Sequence, residues 1–279
     1  MRRPHSYALL ALAATLGWLS LTACQSGGCA AQGKVERLIA QLQGRCCEFT
    51  TEPTSDRPDS SCKLREPGLL ADLTVRHADR ECIRAAADCL GAMGRAAAPA
   101  AVPALIAAVE NGLNNYDTGD GVIAVRDAVV EALGRTGDAR ALPTLIEALE
   151  HPRPVESGPG AVGYTSTEPR GEVAALHALA ALGRVAAPAV PRILPLLQRR
   201  TNHPEGVRIV EAAAQALAAI GDTAAIPALI AALDQEPAAI QVAQALAAFG
   251  PAAQAALPRL AAGPDNQYFR EAIRKIKGQ

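Results

Sequence analysis

One phrase that recurs along the chain constrains its fold more than any other feature. Residues 132 to 149 read ALGRTGDARALPTLIEAL, and residues 216 to 233 read ALAAIGDTAAIPALIAAL. Related segments surround Gly94, Gly183 and Gly250, so the unit recurs at five places. Self-similarity of this kind predicts a stack of like supersecondary units rather than a single globular core.

Each unit has the pattern of two helices. A glycine can close the first helix in the left-handed conformation, and a proline suits the first turn of the second helix, where its missing N–H costs nothing. One helix pair cannot bury its own apolar faces, so the pairs must stack. The sequence predicts an all-α superhelix of about five helix pairs. The turn glycines are Gly94, Gly137, Gly183, Gly221 and Gly250, and the matching prolines are Pro103, Pro143, Pro191, Pro227 and Pro258.

The phrase ALGxxGD…ALPxLxxAL resembles HEAT repeats, specifically the short bacterial type first noted in phycobilisome lyases. The resemblance covers roughly residues 77 to 263 and implies an α-α superhelix, a HEAT-like solenoid. For function it implies little, because such repeats serve many partners. The spacing of the prolines is not uniform, which places insertions after the first, second and third units.

The N-terminal segment has the organisation of an export signal. Arg2 and Arg3 precede an apolar run from residue 8 to residue 19, and Leu21-Thr22-Ala23-Cys24 follows. This order resembles bacterial lipoproteins, which implies a signal peptide over residues 1 to 23 and a lipid on Cys24. The alternative is an ordinary signal peptide in which Cys24 is a plain cysteine. The lipid would be the only membrane anchor; the outer membrane, on its periplasmic side, is favoured if the organism has two membranes.

Six cysteines remain, and an even number in an exported chain predicts disulfide bonds whose pairing stays open. Cys82 and Cys89 are expected on one helix, about 10 Å apart along its axis, too far to bridge each other. We therefore expect each to pair with Cys46, Cys47 or Cys62. Residues 24 to 76 are expected to hold the anchor, a linker and a disulfide-tied cap, and residues 264 to 279 a capping helix that starts near Asp265. The six cysteines are Cys29, Cys46, Cys47, Cys62, Cys82 and Cys89.

Two loop segments resemble ligand-binding motifs. Residues 158 to 163 spell GxGxxG, but a helical unit precedes them where a dinucleotide fold needs a strand. Residues 114 to 121 gather Asn115, Asp117 and Asp120, which leaves weak calcium binding as an alternative, although the spacing is not that of an EF-hand. Asp120 is better interpreted as the N-cap of the next helix. No cofactor and no metal is expected.

The histidines of the sequence do not form a recognisable set of catalytic residues. His177 occupies a repeat position that is polar in every unit, which predicts a solvated face; His77, His151 and His203 are expected in loops or near a helix start. The His–Glu pairs of deoxyhypusine hydroxylase, a HEAT-type enzyme, have no counterpart, and neither GxSxG nor HExxH occurs. Bilin lyase chemistry is not expected in an exported chain. The protein is therefore expected not to be an enzyme. The equivalents of His177 are Asp88, Glu131, Gln215 and Gln244.

The charge balance excludes nucleic acid as a partner. The formal net charge is −1 and aromatic residues make up 3% of the chain. A nucleic-acid-binding surface needs basic residues for the phosphates and usually aromatic rings for the bases.

Two surfaces are candidates for partner binding. The HEAT resemblance implies that the second helices line the concave side. Their outward positions would be one and four residues after each proline, although alanine there also serves helix propensity. The loops at residues 111 to 121 and 152 to 171 are expected to emerge side by side, with Tyr116 and Tyr164; disordered decoration is the alternative. The second-helix positions are Ala104, Thr144, Arg192, Ala228 and Arg259, then Ala107, Glu147, Pro195, Ala231 and Ala262.

The expected function is that of a lipid-anchored, non-enzymatic scaffold that binds a protein of the bacterial envelope. One alternative is a small-ligand-binding or enzymatic HEAT-like protein that uses the loops at 111–121 and 152–171. A further alternative is a structural component of the envelope. The identity of the partner and the oligomeric state are not readable from the residues.

Overall fold

The computed structural model describes residues 33–43, 47–48, 63–64, 77–111, 116–117, 122–152, 156–157, 170–199, 201–202 and 204–279. These residues form a stack of helix pairs, the HEAT-like repeat fold expected from the repeated phrase. The segment expected to be a signal peptide, Cys24 and most of the expected cap lie outside the described residues, so those boundaries stay predictions.

The described helices alternate along the stack. Helix α1 (Gly33–Leu42) precedes five units, each with a first and a second helix, and α12 (Gln267–Lys277) follows them. The units are α2 (His77–Met93) with α3 (Ala98–Glu110), α4 (Val125–Arg135) with α5 (Leu142–Glu150), α6 (Arg170–Leu182) with α7 (Val190–Ile193), α8 (Pro204–Ile220) with α9 (Ile226–Ala232), and α10 (Ala239–Ala248) with α11 (Leu257–Ala261). Short 3₁₀ segments join them at Gly94–Ala96, Ala139–Ala141, Gly183–Ala189, Leu194–Gln198, Thr223–Ala225 and Gly250–Ala256.

The turn between the two helices of a unit follows from its glycine. All five turn glycines have positive φ, between 53° and 73°, a region that side chains other than glycine rarely adopt. In two units an aspartate follows and caps the next segment: an Asp138 carboxylate oxygen accepts a hydrogen bond from the Arg140 N–H at 2.9 Å, and Asp222 accepts one from the Ala224 N–H at 3.0 Å. The predicted helix ends are therefore confirmed.

The prolines mark second helices in four of the five units. Pro143, Pro191, Pro227 and Pro258 lie in first turns. The prediction is wrong for Pro103, which lies inside α3, because α3 begins a turn earlier, with Pro99 in its first turn. Pro103 lies on the exposed side of the helix, where the lost hydrogen bond leaves a carbonyl that water can reach.

The first helices of neighbouring units pack most closely. At Gly134 in α4, a Cβ atom would lie 2.3 Å from the carbonyl oxygen of Ala178 in α6, so the two backbones nearly touch. The first helices contact their neighbours along much of their length, whereas the second helices contact one another far less. The first helices therefore form the more closely packed layer of the stack. The expectation that the second helices line the concave side stays a prediction.

The described strands are two residues long. Strands β1 (Cys47–Glu48) and β2 (Lys63–Leu64) pair antiparallel. Strands β3 (Tyr116–Asp117), β4 (Val122–Ile123) and β5 (Glu156–Ser157) form a sheet in the order β4-β3-β5. Because residues 122 and 123 pair in this sheet, α4 starts at Val125 and its N-cap residue is Ala124. The interpretation of Asp120 as the N-cap is therefore wrong.

Both described ends of the stack are covered by helices. Helix α1 packs on α2 and α3. Helix α12 packs on α10 and α11 and buries Phe269, Ala272 and Ile276, and Asn266 caps it by accepting hydrogen bonds from two backbone N–H groups at 3.0 Å. The helix begins two residues after Asp265, close to its predicted start.

One described helical stretch, Gly171–Gln198, is long and apolar enough to cross a membrane, yet 56% of its most apolar window is buried in the stack. Its turn at Gly183 separates α6 from the second helix of the unit. The apolar composition of this stretch is what a buried layer of the solenoid requires.

Two of the cysteines expected to form disulfides have described side chains. Cys82 is disulfide-bonded, whereas Cys89 keeps a half-buried thiol. The expectation that Cys89 pairs with an upstream cysteine is wrong; its side chain, like that of Cys82, packs against the apolar core of the stack. The disulfide-tied cap itself remains a prediction.

Candidate functional site

The second-helix positions divide into two kinds. The residues four positions after each proline, Glu147 among them, are all exposed. The residues one position after the proline differ in exposure: Thr144 is buried, Ala104 and Ala228 are half-buried, and only the two arginines are exposed. The expectation of an outward face at this position is therefore wrong for Thr144, because the position faces the preceding unit and a short side chain there is covered.

At this position a long side chain, such as that of Arg192 or Arg259, forms an ion pair with the preceding unit. Arg192 forms an ion pair with Glu150 of the preceding unit, and Arg259 forms the equivalent pair with Asp234. Both acids lie seven residues after the proline of their own unit, so the two pairs are the same contact repeated. These arginines hold neighbouring second helices together rather than standing alone on a groove.

The two long insertion loops meet. Strand β3, in the first loop, pairs antiparallel with β4 and parallel with β5 of the second loop, with Tyr116 opposite Glu156. The sequence predicted that the loops emerge on the same side of adjacent units; the structure adds that their backbones are hydrogen-bonded. Tyr116 belongs to β3, and Tyr164 lies outside the described residues.

A depression of about 270 Å³ opens on the surface of the first helices. We call it the first-helix depression. Its apolar floor comes from α4, with the residue before it, and from α6. Its rim carries charged groups of both signs and one imidazole. The floor residues are Ala124, Ala128, Val173 and Ala174, and the rim residues are Arg84, Asp88, Glu131, His177 and Arg208; the buried Asp127 also lines the depression.

Both insertion loops lead directly into this depression. Ala124 follows strand β4 immediately, and α4 continues from it with Asp127 and Ala128. The second loop ends at α6, whose first turns carry Val173 and Ala174. The sheet that pairs the loops therefore stands beside the depression, at the N-terminal ends of the helices that form its floor.

Ion pairs between neighbouring units cross the rim. His177 Nδ1 lies 3.6 Å from Glu131 Oε1, and Arg135 donates a hydrogen bond to Asp88 at 3.0 Å. His177, Glu131 and Asp88 occupy the same position in three successive units, the position that the sequence assigned to a solvated face. All three are exposed or half-exposed, as predicted, but they also surround a depression. The repeat alignment could have indicated this site, since equivalent residues of successive units lie side by side once the units stack.

A buried carboxylate stands where the second loop enters α6. Glu172 is buried and accepts a hydrogen bond from Arg199 at 2.7 Å. Burial raises the pKa of Glu172 above its ordinary value, and the opposing pull of Arg199 is smaller. Glu211, in α8, has its pKa raised by burial as well. Neither Glu172 nor Glu211 lines the first-helix depression; raised pKa values occur both at functional sites and in structural ion pairs.

The rim groups are suited to proton transfer and to binding a charged ligand, not to metal binding. An imidazole beside a carboxylate can move a proton. Among the described residues, no three His, Cys, Asp or Glu side chains are grouped so that they could hold a metal ion. The GxGxxG segment and Asp120 lie outside the described residues, and His151 is exposed at the end of α5.

Comparisons with known proteins identify repeats of one kind. Residues 67–156 match the family model described as HEAT repeats, and residues 209–235 match that of the PBS lyase HEAT-like repeat. None of the curated proteins compared with the chain matches it. A chain of the solved structure titled "The structure of the complex of CpcE and CpcF of phycocyanin lyase from Nostoc sp. PCC7120" is 28% identical, with a TM-score of 0.47 and 79% of each chain covered.

These matches confirm the HEAT-like repeats and correct one expectation. The protein was expected not to be an enzyme, because no familiar catalytic motif occurs in its sequence. The match of residues 209–235 to a repeat named for lyases points instead to a lyase. The motif search missed this possibility because a solenoid can assemble a site from side chains of several units, and such a site leaves no short sequence motif.

Proposed function

We propose that this protein binds a ligand or substrate in the first-helix depression, as a ligand-binding or enzymatic HEAT-like protein. One observation carries the proposal: the two insertion loops pair in a sheet, and each loop leads into a helix that forms the floor of the depression. Loops held on a rigid scaffold commonly carry recognition. Here they stand beside a concave, partly apolar site.

The chemistry of the depression supports the same proposal. Its floor of alanine and valine supplies apolar contact, and its rim supplies carboxylates, arginines and an imidazole. Ligand sites combine an apolar lining with a few polar groups that fix orientation. A volume of about 270 Å³ is close to the lower end of the range for ligand pockets, about 300 Å³.

A lyase is the more specific form of the proposal. The match to the PBS lyase HEAT-like repeat favours it, and His177 beside Glu131 is the pair best placed to move a proton on a bound substrate. As imidazole the side chain accepts a proton and as imidazolium it returns one, while the carboxylate orients the ring.

The test compares ligand stabilisation in two tryptophan variants. Val173→Trp fills the depression, and Ala107→Trp, on the exposed face of α3, is the matched control. A library of metabolites and short peptides is screened by thermal melting. A ligand present at one hundred times its Kd stabilises the protein by about 2.7 kcal/mol, which for a chain of this size raises Tm by roughly 5 to 10 °C.

We expect at least one compound to raise the Tm of the wild type and of Ala107→Trp but not that of Val173→Trp. Each such compound is then incubated with the protein and followed by proton NMR. A bond broken or formed without hydrolysis, lost in Val173→Trp and in His177→Gln, supports the lyase. Stabilisation that survives in Val173→Trp would show that the ligand binds elsewhere.

The anchoring of the protein is a separate proposal. The order of basic residues, apolar run and lipobox-like tetrad ending at Cys24 supports a lipid that holds the solenoid at the bacterial envelope, where an envelope protein of unknown identity is its partner. Metabolic labelling with an alkynyl fatty acid tests it: the label should enter the wild type and be absent from Cys24→Ala. Equal labelling of both would refute the anchor.

A further inference from the structure

The first-helix depression is long for its volume. Its lining comes from four successive first helices, from Arg84 in α2 to Arg208 in α8. Packed helices lie 8 to 10 Å apart, so four of them span about 25 Å from the first axis to the last. A helix about 10 Å in diameter laid along that length would occupy well over 1,000 Å³, several times the volume available. The space suits a single extended chain with one inserted side chain.

The floor and rim together match one kind of side chain. Ala128, Val173 and Ala174 form an apolar floor, and the carboxylate of Glu131, on α4, stands beside it. Lysine and arginine have this same division, with an aliphatic stem and a cationic end. A stem lying on the alanines would bring its charged end to Glu131.

Glu131 is the carboxylate best placed to accept such a cation. Its ion pair is with His177, at 3.6 Å, which is longer than a hydrogen bond. Asp88, one unit away, already accepts a hydrogen bond from Arg135 at 3.0 Å. The side chain of Glu131 is 37% exposed, so an incoming cation can reach it without breaking an arginine pair.

We propose that the occupant of the first-helix depression is an extended segment of a partner protein, with a lysine or arginine side chain inserted over Ala128 and Ala174 and its cationic group bound by Glu131. This inference rests on the proposed function, for which it names the class of ligand. The segment crosses the first helices, and groups of both charges along the rim contact residues on either side of the inserted cation.

The experiment uses a phage-displayed library of random twelve-residue peptides panned against the full-length protein. Enriched peptides are synthesised, and their affinities for three proteins are measured by fluorescence polarisation. The proteins are the wild type, Glu131→Lys and Glu147→Lys. The last is the matched control, because Glu147 is an exposed glutamate on a second helix and carries the same change of charge.

We expect the enriched peptides to share one basic residue and to lose roughly tenfold in affinity for Glu131→Lys, because a like charge replaces the partner of the cation. Affinity for Glu147→Lys should be unchanged. Changing the shared basic residue of the peptide to glutamate should weaken binding to the wild type and restore part of the binding to Glu131→Lys. Circular dichroism of both variants checks that the fold is retained.

Each of the following outcomes would overturn the inference. Enriched peptides with no shared basic residue, or with equal affinity for the wild type and Glu131→Lys, would remove Glu131 as the cation site. Peptide binding unaffected by Val173→Trp would place the peptide outside the depression. If no peptide binds, while non-peptide compounds stabilise the protein in a Val173-dependent way, the peptide inference fails and the proposed function stands. If neither class binds, both fail.

Discussion

Replacing Gly134 by alanine tests the close packing of the first helices on which the depression depends. A Cβ atom at this position would lie 2.3 Å from the carbonyl oxygen of Ala178 and 2.4 Å from its Cα. Ordinary contact begins near 3.4 Å, so α4 and α6 would have to separate by about 1 Å. The atoms in the way belong to the backbone, so no rotation of a side chain can relieve the contact.

The size of the effect follows from two opposing terms. Alanine in a helix is about 1 kcal/mol more favourable than glycine. Overpacking costs typically 1 to 3 kcal/mol and occasionally more, and a backbone contact this short belongs at or above the upper end. We therefore expect Gly134→Ala to lower the free energy of unfolding by about 2 to 3 kcal/mol, or Tm by roughly 4 to 12 °C.

The control is Gly221→Ala, which makes the same chemical change at an exposed glycine. Nothing lies within 4 Å of a Cβ atom at Gly221, and its φ is 73°, so the cost is only that of a left-handed alanine, about 1 to 2 kcal/mol. Urea and thermal unfolding are followed by circular dichroism for both variants. A Gly134→Ala protein as stable as the wild type, or more stable, would refute the packing described for α4 and α6.

Three further predictions concern the stack. A double-mutant cycle on Arg192→Ala and Glu150→Ala should give a coupling of about 0.2 to 1 kcal/mol that falls with salt, since the pair is partly exposed; equal coupling at low and high salt would contradict an ion pair. Because burial raises the pKa of Glu172, its contribution to stability is fully present below its unfolded pKa of about 4.5 and is lost as pH rises through the folded value. The free energies of unfolding of Glu172→Gln and the wild type should therefore be measured from below pH 4.5 upward. The variant should gain stability relative to the wild type as pH rises, and a difference that does not change with pH would argue against the raised pKa. Asp222→Ala removes the cap of its 3₁₀ segment and should cost about 1 kcal/mol in urea unfolding, whereas the cap-preserving Asp222→Asn should cost less.

Much of the fold could be predicted because the determining interactions are local. The turn glycines and four of the prolines act through their own backbone conformations, and these are readable from the sequence without knowledge of neighbours. Pro103 was misplaced because helix α3 already had a proline, Pro99, that could occupy its first turn. A choice between two compatible starts depends on packing, which a single sequence does not display.

The site was harder to predict because it depends on how closely neighbouring first helices pack. The polar positions equivalent to His177 were recognised as a row, but a solvated row and the rim of a depression have the same sequence pattern. Distinguishing the two requires knowledge of how α4 packs on α6, whose backbones meet at Gly134. A single glycine in a helix does not indicate such a contact. The pairing of β3 with β5 was also missed, because two-residue strands in long loops have no periodicity.

The most direct test of the central proposal is to locate the bound ligand by NMR. The tightest ligand from either library is titrated into ¹⁵N-labelled protein, and the shifts of backbone amides are mapped. We predict that the largest changes fall on the first helices, at Ala128, Glu131 and His177, and that the exposed second-helix residues Ala107 and Glu147 do not respond. Changes centred on the second helices, with the first helices unaffected, would contradict the assignment of the site to the first-helix depression.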